Sequence, residues 1–121
     1  MVTKHVRMND LMWEQVREGV ARKVVHGEKG TVCLNKLNSG HEARPHQHPH
    51  EQIAIILKGE TKFTVGEEVF ELGEGDVIVI PPNVIHYAEV TNGEDCLNLD
   101  IFVPRREDYV DTPVANGSAN E

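Results

Sequence analysis

The feature that most limits how this chain can fold is a series of short β-rich runs, each ended by residues that favour turns. Glycine, proline, asparagine and aspartate separate the runs, and Pro81-Pro82-Asn83 cannot continue a central β-ladder. Many short strands joined by turns predict an all-β sandwich or barrel. The runs span residues 20–26, 31–37, 53–57, 63–65, 77–80, 84–90 and 96–103.

The 121 residues suffice for one domain. We expect an N-terminal segment over residues 1–19, a barrel over residues 20–109 and a flexible tail over residues 110–121. Within the first segment, residues 9–19 carry the one plausible helical pattern, which predicts one or two helical turns. The tail lacks an apolar pattern and is predicted to fray.

Charge and cysteine content narrow the class of partner. A net charge of -8 argues against nucleic acid or an anionic membrane, because such surfaces recruit clustered lysine and arginine. We therefore expect a small molecule or a protein as the partner. No run approaches the roughly 20 apolar residues of a membrane helix, and the N-terminus lacks the apolar run of a signal peptide, so the expected location is the cytoplasm. Cys33 and Cys96 stand far apart and are interpreted as reduced packing residues.

Histidines at alternating positions form the strongest chemical pattern. His46 and His48 are two residues apart, so on a strand both side chains point to one face and can offer nitrogens to one ion. After the turn at Pro49, Gln52 can return to the same interior, and His86 supplies a fourth ligand. We interpret His50 as a turn residue. His5, His26 and His41 are predicted to be surface histidines.

The spacing of these residues resembles that of the cupin family. Cupins carry G-x5-H-x-H-x3-E-x6-G followed by G-x5-P-x-G-x2-H. The resemblance implies a double-stranded β-helix, or jelly-roll, barrel around one divalent metal ion. Two slots depart from the pattern, since Gln52 replaces glutamate and Asn83 replaces glycine. The residues that occupy the slots are Gly40, His46, His48, Gln52, Gly59, Gly75, Pro81, Asn83 and His86.

Gln52 has an electrostatic consequence. Three neutral imidazoles and a neutral amide leave the double positive charge of an ion uncompensated, whereas a glutamate would halve it. The ligand set therefore favours Lewis-acid chemistry over redox chemistry. Nickel, zinc, manganese and iron(II) all suit these ligands, and the sequence does not discriminate among them.

The last predicted strand has two different faces. Asn98, Asp100 and Phe102 alternate with aliphatic residues, and a large aromatic side chain is unusual on a solvent face. We therefore expect these three side chains to line a pocket beside the metal. The aliphatic face then needs a cover, which predicts a second sheet or a homodimer. That face consists of Leu97, Leu99, Ile101 and Val103.

The end of this strand is similar to the small pectin-degradation cupins of the KdgF type, which close with Asp-x-Phe-x-Pro-x-Arg-x-Asp. The resemblance implies ketonisation of 4,5-unsaturated uronates released from pectin or alginate, so the expected partner is a sugar acid. Asp100 is then the candidate acid-base, Arg106 binds the substrate carboxylate and Phe102 packs on the sugar ring. Arg22 is a weaker second anion contact. The matching residues are Asp100, Phe102, Pro104, Arg106 and Asp108, with further likeness at Trp13, Gly19-Val20 and the run containing Gln52.

Two other classes of function stay open, because one fold hosts many activities. One is a cupin dioxygenase that uses iron or nickel. The other is a non-enzymatic small-molecule-binding protein or a metal-assisted cyclase. Oxygen consumption would favour the first, and tight binding without turnover would favour a binding protein.

Overall fold

The computed structural model describes residues 2–115, and nine strands form two antiparallel sheets. The larger sheet has the strand order β1-β2-β3-β9-β4-β7, and the smaller has β6-β5-β8. This confirms the predicted all-β jelly-roll barrel. Within residues 2–115 no helix has the length and apolarity needed to cross a bilayer. The strands are β1 Glu14–Arg17, β2 Val20–His26, β3 Thr31–Leu37, β4 Glu51–Lys58, β5 Thr61–Val65, β6 Glu68–Leu72, β7 Val77–Ile80, β8 His86–Val90 and β9 Cys96–Val103.

The core lies between the two sheets. Side chains alternate along each strand, so every second residue is buried from Gln52 to Ile56 in β4 and from Cys96 to Phe102 in β9. Ala54 and Ile56 of the larger sheet pack in one cluster with Phe63 and Val65 of the smaller sheet. The inward row of β9 runs from Cys96 through the polar Asn98 and Asp100 to Phe102, and all four side chains are buried. These polar residues mark the end of the barrel that holds the site.

The prediction of a helix over residues 9–19 is wrong. A 3₁₀ helix covers only Met8–Asp10, and β1 pairs with β2 in a hairpin. Gly19 adopts a positive φ of 80°, which lets the chain turn back between the two strands. Pairing with β2 therefore overrides a weak helical pattern.

Strand β6 is a second difference from the prediction. The predicted runs leave out residues 66–76, where Glu68 and Glu71 are exposed. Phe70 and Leu72 pack against the core, so the segment is a full strand paired with β5. Glu68 and Glu71 lie on opposite faces of this strand, so its apolar residues show no clean alternation in the sequence.

The tail does not fray over residues 110–115. The buried Thr112 hydroxyl accepts the backbone N–H of Val24 at 2.7 Å, and the Thr112 N–H donates to the Val24 carbonyl at 3.0 Å. Val114 also forms a β-bridge with Leu11. The predicted tail beyond residue 115 lies outside the described residues.

His26 is buried, contrary to the surface position predicted for it. One ring nitrogen lies 2.8 Å from the Thr31 hydroxyl and the other 2.8 Å from the Tyr109 carbonyl oxygen. The ring therefore ties the β2–β3 hairpin to the segment that follows β9. A histidine with both nitrogens paired can be buried at little cost.

Candidate metal centre and cavity

Backbone pairing brings the three predicted histidines together. His46 and His86 exchange two backbone hydrogen bonds, at 3.1 Å and 2.9 Å, although they are 40 residues apart in the chain. The His48 carbonyl accepts the N–H of Asn83 at 2.8 Å, and Asn83 has a φ of 65°. Asparagine tolerates this left-handed conformation, so it substitutes for the glycine of the motif.

One ring nitrogen from each of His46, His48 and His86 lies within 4.8 Å of the other two. Each ring is oriented by a backbone carbonyl that accepts its Nδ1–H, which leaves Nε2 as an unprotonated lone pair. Fixing the tautomer in this way prepares an imidazole to bind a metal ion. The accepting carbonyls are those of Arg44 for His46 at 2.8 Å, His50 for His48 at 3.0 Å and Val84 for His86 at 2.9 Å.

Gln52 completes the cluster. Its Nε2 donates to Asp100 Oδ1 at 2.9 Å, which turns its Oε1 toward the histidines. That oxygen lies 3.0 Å from Nε2 of His48 and 3.1 Å from Nε2 of His86. Three acceptors thus face one another with no proton between them, an arrangement that a shared cation resolves. The residues therefore fit a divalent metal ion held by His46, His48, Gln52 and His86.

Burial keeps His48 and His86 neutral. His86 is 2% exposed, and burial lowers its pKa to about 4. Burial likewise lowers the pKa of His48. Both imidazoles are therefore available as lone-pair donors at neutral pH, without competition from protons.

Asp100 lies beside the candidate metal ligands and accepts three hydrogen bonds. Gln52 and Asn98 donate to Oδ1 at 2.9 Å and 2.7 Å, and Asn35 donates to Oδ2 at 2.7 Å. Burial nevertheless raises the pKa of Asp100 to about 6, and the hydrogen bonds oppose the rise. Desolvation and the Asp100 charge raise the pKa of neighbouring Cys33 to about 12, so that thiol stays protonated. Asp100 is thus the side chain here suited to exchange a proton near neutrality.

Phe102 lines the cavity, whereas Arg106 does not. The Arg106 guanidinium stacks 4.7 Å from the centre of the Phe102 ring and binds Asp108 through two hydrogen bonds, at 3.0 Å and 2.7 Å. Arg22 is also engaged, since it pairs with Glu14 at 3.1 Å and lies over the Tyr109 ring. The two arginines assigned to a substrate anion from the sequence therefore both have partners within the protein.

Other side chains line the cavity without having been predicted. Arg17 and Arg44 stand at its opening together with His41, which had been assigned to the surface, and Asn35 and Tyr87 contribute polar groups. Arg44 lies two residues before His46, a spacing that could have signalled a place near the cluster. Arg17 was not predicted because residues 9–19 were expected to be helical, whereas it lies on strand β1. His50 sits in the turn as expected, with its ring 5.5 Å from that of His48.

Comparisons with known proteins agree with the observed fold. The sequence profile of the cupin domain matches residues 33–102. KdgF from Halomonas sp. shares 30% sequence identity and a TM-score of 0.83, over 90% of this chain and 100% of that one. A RmlC-like cupin from Shewanella frigidimarina shares 25% identity and a TM-score of 0.81, over 89% of this chain and 97% of that one.

Curated relatives are similar over shorter regions. H2HPP isomerase from Bacillus subtilis is 30% identical over 71 residues, which are 58% of this chain and 30% of that protein. The uncharacterised HTH-type transcriptional regulator YdeC of Bacillus subtilis is 41% identical over 51 residues, or 42% of this chain and 18% of that protein. This chain spans less than a third of the length of either relative. The profile match covers more than half of the chain, which therefore belongs to the cupin family and is a small cupin resembling KdgF.

Proposed function

We propose that the protein is a metal-dependent isomerase that opens and ketonises 4,5-unsaturated uronates. The observation that carries this proposal is the chain of contacts from the buried Asp100 carboxylate through Gln52 to His48 and His86, two of the candidate metal ligands. The likeness to KdgF supports the same class of reaction. The expected substrate is a sugar acid from pectin or alginate.

The reaction moves one proton and transfers no electrons between molecules. A base removes the proton of the anomeric hydroxyl, and the bond from the anomeric carbon to the ring oxygen breaks as an aldehyde forms. The ring oxygen keeps the electrons of the broken bond and becomes part of an enolate, which turns into a ketone when the far carbon of the double bond takes up the proton. Asp100 can carry the proton between these two positions, because its pKa of about 6 allows both protonation states near neutrality.

The other residues of the cavity orient the substrate. Phe102 offers an apolar ring against which a sugar ring can pack, and Arg106 holds that ring from behind through its stacking contact. The positive charge of Arg106 also favours the carboxylate form of Asp100. His46, His48, Gln52 and His86 would hold a divalent ion, which would supply Lewis acidity, and these neutral ligands would not reduce its charge.

The test is a rate measurement on freshly generated unsaturated galacturonate. Loss of the enol-ether absorbance is compared with and without the metal-loaded protein, and oxygen is followed in parallel. We expect accelerated loss without oxygen consumption. No acceleration with metal bound would refute the proposal, and iron-dependent oxygen uptake would assign the protein to the dioxygenases instead.

Two variants assign the role of Asp100. Asp100→Asn keeps an oxygen toward Gln52 but cannot act as a base, so turnover should fall by about a hundredfold or more while the metal content stays unchanged. Asp95→Asn is the matched control, since Asp95 is exposed in the turn before β9. Loss of metal from Asp100→Asn would show that Asp100 serves the metal centre instead of the proton transfer.

A further inference from the structure

The cavity at the candidate metal ligands opens into a larger cleft. The inner cavity has a volume of about 130 Å³ and the outer cleft about 490 Å³, and Arg17, His41 and Arg44 line both. Ligand pockets usually measure about 300–1,000 Å³, so the inner cavity alone is small for a sugar acid. A ligand that reaches the histidines therefore extends past these three side chains.

Arg17 has an unused hydrogen-bond donor at this opening. Its Nη2 donates to the Glu42 carbonyl at 3.2 Å, whereas its buried Nε has no partner among residues 2–115. Burial and the nearby charge of Arg44 lower the pKa of Arg17, and the charge of Glu42 opposes this effect. A buried donor without an acceptor is costly, and an anionic ligand would relieve that cost.

Arg44 adds a second guanidinium. The Arg44 backbone carbonyl orients the ring of His46, so the Cα atom of Arg44 lies close to the candidate metal ligands. Its Nε binds the exposed Glu42 carboxylate at 3.1 Å. Glu42 is thus one carboxylate beside two arginines. Glu18 also lines the outer cleft but forms no ion pair within the described part of the chain.

We propose that Arg17 and Arg44 together bind the carboxylate of the substrate at the mouth of the cavity. This assignment rests on the proposed function for the identity of the acid. Paired guanidinium groups suit a carboxylate because each presents several donors in one plane. Arg106, which the sequence had suggested for this role, already forms a two-bond pair with Asp108.

The test is calorimetric binding of galacturonate and galactose to the metal-loaded protein. Galacturonate lacks the double bond and is not ketonised, and galactose lacks the carboxylate. We expect Arg17→Met and Arg44→Met each to weaken galacturonate binding by about tenfold or more, with galactose binding unchanged. Arg7→Met is the matched control. Arg7 is exposed and does not line the cavity, and its replacement removes the same charge.

Several outcomes would overturn the assignment. These are equal binding of galacturonate and galactose by the unaltered protein, retained galacturonate affinity in both arginine variants, or an equal loss of both ligands. Arg44 is largely exposed, so Arg44→Met decides the matter if Arg17→Met does not fold. Carboxylate-dependent binding without turnover of the unsaturated uronate would refute the isomerase proposal alone and leave the anion site standing.

Discussion

At the scale of single residues, the Gln52 amide joins the two halves of the site. Its oxygen faces the histidines, and its nitrogen donates to Asp100 at 2.9 Å. A glutamate in this slot would place a second carboxylate against Asp100. Two carboxylates at that distance cannot both be ionised, so one proton would be held between them.

Replacing Gln52 with glutamate therefore tests this coupling. In Gln52→Glu the base is held protonated and the bound ion is partly neutralised, so turnover of the unsaturated uronate should fall by about tenfold or more near pH 7. Steady-state rates together with metal content provide the measurement. Gln47→Glu adds the same charge at an exposed position between the histidines and should keep the rate. An unchanged rate in Gln52→Glu would contradict the coupling.

The pair of Arg106 and Asp108 predicts a pH dependence of stability. The hydrogen bonds from Arg106 lower the pKa of Asp108 to about 2, from an ordinary value of 3.8. The stabilisation is therefore present above the ordinary pKa and is lost as the pH falls through about 2. Asp108 is half-exposed, so the effect should stay below about 1 kcal/mol.

Urea unfolding of Asp108→Asn measures that effect. The variant should be less stable than the unaltered protein at about pH 6, and the difference should shrink when both are unfolded at about pH 3. Asp95→Asn, which removes a carboxylate without an ion pair within residues 2–115, should show no such trend. A difference that grows toward acid pH would have the wrong sign for this pair.

At the scale of elements, the segments that precede and follow the main strands in the chain were not predicted correctly from the sequence. The main strands were predictable because alternation and turn residues are local signals, and the metal ligands because their spacing is short and specific. Strand β1 is held by pairing with β2, although its own sequence indicates a strand only weakly. Residues 110–115 also contact β2, which is distant from them in the sequence. The placement of Arg17 at the cavity follows from β1 and was lost with it.

Thr112 shows how the final segment is held. Thr112→Val keeps the shape of the side chain but leaves the buried Val24 N–H without its acceptor at 2.7 Å. We expect a loss of about 1–3 kcal/mol in the free energy of unfolding, measured from the denaturant midpoint. Thr91→Val, in an exposed turn, should change it little. Equal stability of both variants would mean that this segment contributes nothing to the fold.

At the scale of the whole molecule, the outer face of the larger sheet is apolar. Ile53 of β4 lies between Ile101 of β9 and Val79 of β7, and Ile55 lies between Leu99 and Val77 in the same way. Val77 and Val79 are 56% and 55% exposed. An apolar face of this kind suits a matching face on a second copy of the chain, as proposed from the sequence.

A charge on this face tests the proposed homodimer. We expect the unaltered protein to sediment at twice the mass of the chain and Val79→Glu to sediment as a monomer, because a buried unpaired carboxylate opposes association. Val69→Glu, at a similarly exposed valine on the smaller sheet, should leave the dimer intact. A monomeric unaltered protein, or dissociation by both variants, would refute this interface.

The acceptors that converge on one point between the sheets also make the stability of the folded protein depend on the concentration of the metal ion. The Gln52 oxygen and the histidine nitrogens repel one another without a cation, so folding and ion binding should reinforce each other. At an ion concentration of 100 times the dissociation constant the gain is about 3 kcal/mol, and a chelator should lower the melting temperature by about 10 °C. Ranked melting temperatures across nickel, zinc, manganese and iron would then identify the ion that best protects the protein from unfolding and proteolysis.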